Sequence, residues 1–180
     1  MPKKPRSVIE YRLYDLPPQL PILCLTGEKW RISDTLSGHL HFHNCLEIGL
    51  CHTDSGFMLM ESERVPFAAG DLMLVPRHLP HTTCSDPGCR SRWSYLYIDL
   101  EQMLSFFRGT MTGLPSDRLL RYFETWHTVR AGEETRLVQI VRMLIDACVP
   151  EQAAEPQLIR AYSLVLALEL ERLASSEPFS

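Results

Sequence analysis

HFHNCLE, residues 41–47, is the stretch that decides the fold and the candidate site of this sequence. His41, His43 and Glu47 lie two and four residues apart in it. Side chains alternate between the two faces of an extended strand, so these three are expected to share one face, with Cys45 between them. The sequence therefore predicts a strand with one face built of ligand-type side chains.

A second stretch, GDLMLVPRHLPH at residues 70–81, brings a further imidazole at His81. Three imidazoles and one carboxylate suit Zn²⁺, Fe²⁺, Ni²⁺ or Mn²⁺, whereas Ca²⁺ prefers oxygen ligands. We therefore predict a divalent transition-metal site at His41, His43, Glu47 and His81. The alternative is that the same four side chains line a ligand pocket without a metal.

The spacing of these residues resembles the two sequence motifs of the cupin superfamily. Those motifs read His-x-His, three residues, Glu, and then Gly, five residues, Pro, four residues, His, and the matching residues here are His41, His43, Glu47, Gly70, Pro76 and His81. The runs LEIGLCHTDSGFMLMES, FAAGDLMLVPRHLPH and SYLYIDLEQML, with helical sequence after them, resemble the N-terminal effector-binding domain of AraC-family transcription regulators. The resemblance implies a mainly β fold, a cupin double-stranded β-barrel (jelly roll), followed by C-terminal helices.

Three positions depart from the usual cupin pattern. His78 stands where a glycine is usual, Ser85 stands where an asparagine is usual, and Gly56 lies two residues beyond its usual place. The last difference predicts a longer hairpin at CHTDSG. The first two weaken an assignment to a known cupin enzyme.

The order of patterns along the chain predicts three regions. Residues 1–20 are expected to form an extended N-terminal arm, because LPPQLP cannot be regular structure and only VIEYRLY resembles a strand. Residues 21–100 are expected to form the barrel, with ILCL, WRIS, LMLV and WSYLYI among its strands. Residues 101–180 are expected to form a helical dimerisation or linker region.

Helical periodicity begins after Asp99. Asp99 and Gln102 resemble a capping box before LEQMLSFF, Ser116 is a candidate cap for DRLLRYFETWH, and Pro156 suits the first turn of a last helix that reaches Leu173. That last helix is apolar almost all round and must be buried on two sides. A partner subunit is the simplest source of the second side, and the alternative is packing between the barrel and the neighbouring helices in a monomer. We predict a homodimer through the helices, with these candidate contact residues: Leu137, Ile140, Val141, Leu144, Tyr162 and Val165.

Apolar side chains of the predicted strands suggest the wall of an effector pocket inside the barrel. The candidate ligand-binding residues are Cys45, Met58, Met60, Met73, Trp93 and Tyr95. The alternative is that they are ordinary core residues. A rival zinc site around the DPG turn would use His78, His81, Cys84 and Cys89, although this set has no Cys-x-x-Cys pair.

Charge and composition limit the function. The net charge of −4 argues against DNA binding by this segment itself, and no basic helix pair follows Leu173, so we expect DNA contact only through a C-terminal domain outside this chain. No secretory or membrane-spanning pattern is visible, and we expect a cytoplasmic protein. The predicted function is small-molecule effector sensing by a non-enzymatic regulator domain. The alternative is a metal-dependent cupin enzyme of the oxygenase or isomerase type.

Overall fold

The computed structural model describes residues 8–107, 116–133, 135–149 and 156–176. Within those ranges the strands are β1 Val8–Arg12, β2 Ile22–Leu25, β3 His39–His43, β4 Leu46–Cys51, β5 Ser55–Met60, β6 Glu63–Ala68, β7 Leu72–Val75, β8 His81–Ser85, β9 Trp93–Ile98 and β10 His127–Val129. The helices are α1 Leu100–Phe107, α2 Ser116–Tyr122, α3 Thr135–Ala147 and α4 Pro156–Ser176. The element order confirms the predicted mainly β cupin fold with C-terminal helices.

The strands form two five-stranded sheets. Sheet A has the order β1-β3-β8-β5-β6, and sheet B has the order β10-β7-β4-β9-β2. All pairings are antiparallel except that of β1 with β3, which is parallel. The predicted N-terminal arm therefore contributes an edge strand to sheet A.

Both faces of sheet B are covered. Alternate residues of β4, such as Ile48 and Leu50, pack in a core shared with the four helices, while Cys51 packs in a second core with residues of sheet A. Every residue of β4 is consequently buried. The helices therefore cover the outer face of sheet B, and the candidate site lies on its inner side.

HLHFHNCLEIGLC, for which the sequence predicts one long strand or a strand pair, forms two strands divided at Asn44 and Cys45. β3 belongs to sheet A and β4 to sheet B, so the chain changes sheets between the ligand-type residues. The side-chain amide of Asn44 fixes this turn, because it accepts a hydrogen bond from the Tyr14 N–H at 2.9 Å and donates one to the Tyr14 carbonyl at 3.0 Å. Likewise WRIS is not a strand but makes a single bridge, Arg31 with Arg92.

The predicted hairpin at CHTDSG is also wrong, because β4 and β5 lie in different sheets. The segment is a connection between sheets, with Asp54 at φ 65°. Gly56 is the second residue of β5 and stands where a side chain has no room, since a Cβ there would lie 2.7 Å from the Ser85 Cα. His78, in the usual glycine position, adopts φ 66°, a left-handed conformation that glycine accepts more readily.

The helical predictions are confirmed at the start of α1, where the Asp99 carboxylate accepts a hydrogen bond from the Gln102 N–H at 2.9 Å. DRLLRYFETWH is helical only as far as Tyr122, and His127 begins β10, which joins sheet B. The region 101–180 is therefore not purely helical. GTMTGLP at residues 109–115, where the sequence predicts a break between the first two helices, lies outside the described residues. No helix in the described ranges is apolar over a length sufficient to span a bilayer.

Four predicted dimer contacts are instead core residues of the single chain. Leu137, Ile140, Val141 and Leu144 of α3 are at most 7% exposed, and they pack in the core between the helices and sheet B. Sheet B and the other helices of the same chain therefore cover much of the apolar surface of the helices. Tyr162 is also packed against this core, whereas Val165 is 44% exposed.

Candidate functional site

Three of the four predicted metal ligands converge between the sheets. His41 on β3 and His81 on β8 are paired across sheet A, and Glu47 faces them from β4 of sheet B. One possible ligand atom from each of the three lies within 4.8 Å of the others. His43 is beside them, with its Nε2 3.0 Å from the Glu47 Oε2. The site therefore depends on the change of sheets that divides β3 from β4.

Two backbone carbonyls orient the imidazoles of His43 and His81. His43 Nδ1 lies 2.8 Å from the carbonyl of Cys45, and His81 Nδ1 lies 2.8 Å from the carbonyl of Leu79. A carbonyl only accepts, so both Nδ1 atoms must carry the hydrogen. In the neutral imidazoles the Nε2 lone pairs then face Glu47, at 3.0 Å from His43 and 3.6 Å from His81.

Lone pairs directed at a carboxylate require a positive charge between them. A proton on an imidazole would satisfy this arrangement, and so would a metal ion. His81 Nε2 is buried and has no hydrogen-bond partner in the part of the chain that the structure describes. Fixation of Nδ1–H by a carbonyl is the usual second-sphere arrangement for metal-bound histidine. The donor set consequently fits a divalent transition metal.

Burial and the neighbouring imidazoles set the protonation of His41 and Glu47. Burial lowers the pKa of His41 to about 3, with the charges of His81 and Arg12 acting in the same direction. Burial alone would raise the pKa of Glu47, but the imidazoles of His43 and His81 hold it well below its ordinary value. At neutral pH the site therefore offers a neutral His41 and an ionised Glu47, the forms that bind metals.

A cavity of about 220 Å³ opens at this cluster. His41, Glu47 and His81 form part of its wall. Its remaining lining residues are Arg12, Tyr14, Trp30, Ile32, Ser37, His39, Leu40, Thr82, Thr83, Tyr95 and Tyr97. The cavity combines metal-type donors, aromatic rings and one guanidinium group.

The N-terminal arm supplies part of the wall. Tyr14 stacks on Tyr97, with ring centroids 4.0 Å apart, and its backbone makes two hydrogen bonds with the Asn44 side chain, donating one and accepting the other. Arg12 ends β1 and lines the same cavity. These contacts place two residues of the arm at the cavity.

Most of the predicted pocket residues lie elsewhere. Tyr95 lines the cavity, but Met58, Met60, Met73 and Trp93 are at most 2% exposed and pack in the core between the sheets. Those four residues are therefore core residues and do not form the pocket wall.

Cys45 does not line the cavity at the histidines either. It lies on a separate cleft beside α1, and burial raises the pKa of its thiol to about 12. The change of sheets at this residue removes it from the face on which the strand pattern had placed it. Its backbone carbonyl orients His43 at the site, and its thiol is not among the donors that converge there.

The rival zinc site is not assembled. Among the described residues, the group of metal-type donors that comes together is His41, Glu47 and His81, without His78, Cys84 or Cys89.

Sequence reasoning missed Arg12, Tyr14, Trp30 and Thr83 as cavity residues. Trp30 and Tyr14 lie outside both motifs, and only their aromatic character was a signal. Nothing in the spacing of Arg12 or Thr83 distinguished them.

Comparison with known proteins identifies the family. The profile of the AraC-like ligand binding domain matches residues 26–165. The chain belongs to this family. No curated protein matches the chain.

Among solved structures, two of ToxT have a similar fold at low sequence identity. Apo ToxT K231A from Vibrio cholerae strain SCE256 has a TM-score of 0.54 and 9% identity, over 91% of this chain and 59% of that one. ToxT of the same strain with bound unsaturated fatty acid has a TM-score of 0.50 and 11% identity, over 87% of this chain and 55% of that one. A Cupin 2 conserved barrel domain protein from Salinispora arenicola CNS-205 has a TM-score of 0.38 and 18% identity, over 53% of this chain and 88% of that one. The chain thus spans under two thirds of the length of the ToxT structures.

Proposed function

We propose that this chain is the effector-sensing and dimerisation domain of an AraC-type bacterial transcription regulator. The observation that carries the proposal is the cavity whose wall joins His41, Glu47 and His81 to the aromatic rings of the arm and sheet B. Family membership supports it, as does the bound fatty acid of the ToxT structure. The regulator acts in the cytoplasm and contacts DNA through a domain outside this chain.

A divalent transition metal is part of the proposed site. His41, Glu47 and His81 would hold Zn²⁺, Fe²⁺, Ni²⁺ or Mn²⁺, with His43 as the fourth ligand. Such an ion would supply a positive charge and open positions for a chelating effector. The residues support this assignment through the two fixed Nδ1–H groups and the unpartnered Nε2 of His81. We favour sensing over the cupin-enzyme alternative because the matched family is a ligand-binding one.

Filling the cavity tests the proposal. Thr83 lines the cavity and Thr35 is exposed, so Thr83→Phe is expected to exclude a small molecule and Thr35→Phe is not. The three proteins are equilibrated by dialysis with filtered bacterial extract, and retained compounds are measured by mass spectrometry. Wild type and Thr35→Phe are expected to enrich a compound that Thr83→Phe does not. Equal retention by all three folded proteins would refute the cavity as the effector site.

The loop from residues 76 to 80 connects the cavity to the helices. Its His78 N–H donates to the His43 carbonyl at 2.8 Å, and its Leu79 carbonyl accepts from His81 at 2.8 Å. On its other side Arg77 Nη2 lies 2.8 Å from the Glu101 Oε1 of α1. A ligand that moves either imidazole would therefore move the loop, and the loop would move α1.

Removing the ion pair between the loop and α1 should uncouple them. With Zn²⁺ as the probe, hydrogen–deuterium exchange in the wild type is expected to slow both in residues 76–81 and in α1. In Arg77→Gln we expect protection of residues 76–81 to persist and protection of α1 to fall. Arg92→Gln, which removes a pair with Glu28 at 3.7 Å, is the control and should behave as wild type. Unchanged α1 protection in Arg77→Gln would contradict this route.

Dimerisation is proposed to use the outer face of α4. Leu158, Val165 and Leu168 are 39%, 44% and 40% exposed, and with the exposed Ala161 they repeat at spacings of three and four residues. That spacing forms a narrow apolar seam typical of paired helices. The seam replaces the α3 residues as the proposed interface.

Placing a charge in the seam is expected to dissociate the dimer. Val165→Asp should weaken it roughly a hundredfold or more, since each of two valines loses a burial worth about 1.5–3 kcal/mol. Met143→Asp is the matched control, because Met143 is 45% exposed on α3 and lies outside the seam. Light scattering and sedimentation measure the mass. A wild-type monomer, or equal dissociation by both variants, would count against the seam.

A further inference from the structure

Aromatic rings line one side of the cavity. Tyr14 and Tyr97 stack with centroids 4.0 Å apart, and Tyr97 and Tyr95 lie nearly parallel with centroids 6.2 Å apart. Trp30 meets Tyr95 edge-on, with centroids 6.1 Å apart. A flat ring placed against these surfaces gains stacking beyond the burial of its area, which a puckered aliphatic ring does not gain to the same degree.

The indole N–H of Trp30 lacks an acceptor. Trp30 Nε1 is buried with no hydrogen-bond partner in the described part of the chain, whereas Trp93 Nε1 donates to the Ser91 hydroxyl at 2.9 Å. An unpartnered buried donor costs free energy, and an indole N–H can only donate. Trp30 lines the cavity, so a ligand oxygen could accept from this buried N–H once the indole turns toward the cavity.

The charged residues of the cavity wall favour a ligand that carries hydrogen-bond acceptors. Arg12 is the one Lys or Arg among the described lining residues, and its partner Glu10, at 3.1 Å, is 55% exposed. Exposed pairs of this kind are weak, so a ligand carboxylate can compete for Arg12. The one carboxylate of the lining, Glu47, is already engaged by His43. A polyol is expected to bind more weakly, because its hydroxyl groups also need hydrogen-bond acceptors from the protein.

We propose that the cavity selects a small planar aromatic carboxylate. Its ring lies against the tyrosine and tryptophan side chains, and its carboxylate accepts from Trp30 and pairs with Arg12. This inference rests on the function proposed above and specifies the chemical class of the effector.

Four probes of similar size separate the contributions. Benzoate carries both the planar ring and the charge, benzamide keeps the ring without the charge, cyclohexanecarboxylate keeps the charge without the flat ring, and myo-inositol is a neutral polyol. Titrations are followed by ¹H–¹⁵N NMR of the indole N–H signals, assigned with Trp30→Phe. The bonded, fully buried Trp93 signal is the internal control. Benzoate is expected to shift the Trp30 signal and to bind at least tenfold more tightly than the other three.

Two charge variants complete the test. Arg12→Gln is expected to remove the preference for benzoate over benzamide, whereas Lys29→Gln, which removes a cation 5.5 Å from the centroid of the Trp30 ring, should retain it. Equal affinity for all four probes, or stronger binding of inositol, overturns the ligand class and leaves cavity binding intact. If none of the probes moves the Trp30 signal at millimolar concentration, this inference is also overturned. The function itself is then decided by the Thr83→Phe dialysis experiment.

Discussion

Wild-type protein purified without a histidine tag is expected to contain about one divalent transition metal per chain, and the His81→Ala variant almost none. His81 brings the unpartnered buried Nε2 of the cluster, and its removal leaves Glu47 and His41 without the donor that completes the group. Elemental analysis by mass spectrometry measures the metal content. We expect no other single substitution to lower the metal content more.

His52→Ala is the control for that measurement. His52 is a half-buried imidazole bonded to the Ser94 hydroxyl at 2.7 Å, and it is not part of the cluster. The His52→Ala variant should leave the metal content unchanged. The His43→Ala variant should weaken metal affinity roughly 10- to 100-fold even if His43 only orients Glu47. A metal-free wild type, with no uptake from added Zn²⁺, would mean that the four residues line a pocket without a metal.

Gly56→Ala is expected to destabilise the fold by about 3 kcal/mol or more, which is a large share of the stability of a small domain. The added Cβ would overlap the Cys84 carbonyl and lie 2.7 Å from both the Phe67 ring and the Ser85 Cα. β5 would have to separate from β8, and β8 carries His81 at its other end. Thermal and denaturant unfolding measure the effect.

Gly38→Ala is the matched control, because no atom outside its chain neighbours lies within 4 Å of a Cβ at that position. Its unfolding midpoint should stay close to that of the wild type. Equal stability of both variants would show that β5 and β8 are not packed as closely as described.

The spacing of apolar residues predicted many of the strands and helices, because the buried face of each element follows that spacing. The change from strand to helix at Asp99 is encoded by a side-chain cap, and the cap forms as expected. The division at Asn44 carries no glycine or proline, so the local pattern left one long strand and a strand pair both open and did not show that the chain changes sheets there. β10 is a three-residue strand in a helical neighbourhood, held by pairing with β7 rather than by its own sequence.

The candidate site was predictable where the spacing of donors was local. His41, His43 and Glu47 stand out from one short motif, and His81 from its distance to Pro76. The pocket wall was not predictable, since Met58 and Tyr95 look alike as apolar strand residues and only the packing of the sheets places one in the core and the other at the cavity. The apolar helices were ambiguous for the same reason: a sequence does not say whether α3 is covered by its own chain or by a partner.

The most direct test of the central claim is a crystal structure of the protein after equilibration with the compound that dialysis retains. We predict electron density for that compound between Tyr14, Trp30 and His41, inside the cavity and within reach of His81. Density at another surface, with the histidine-lined cavity holding only water, would contradict the account.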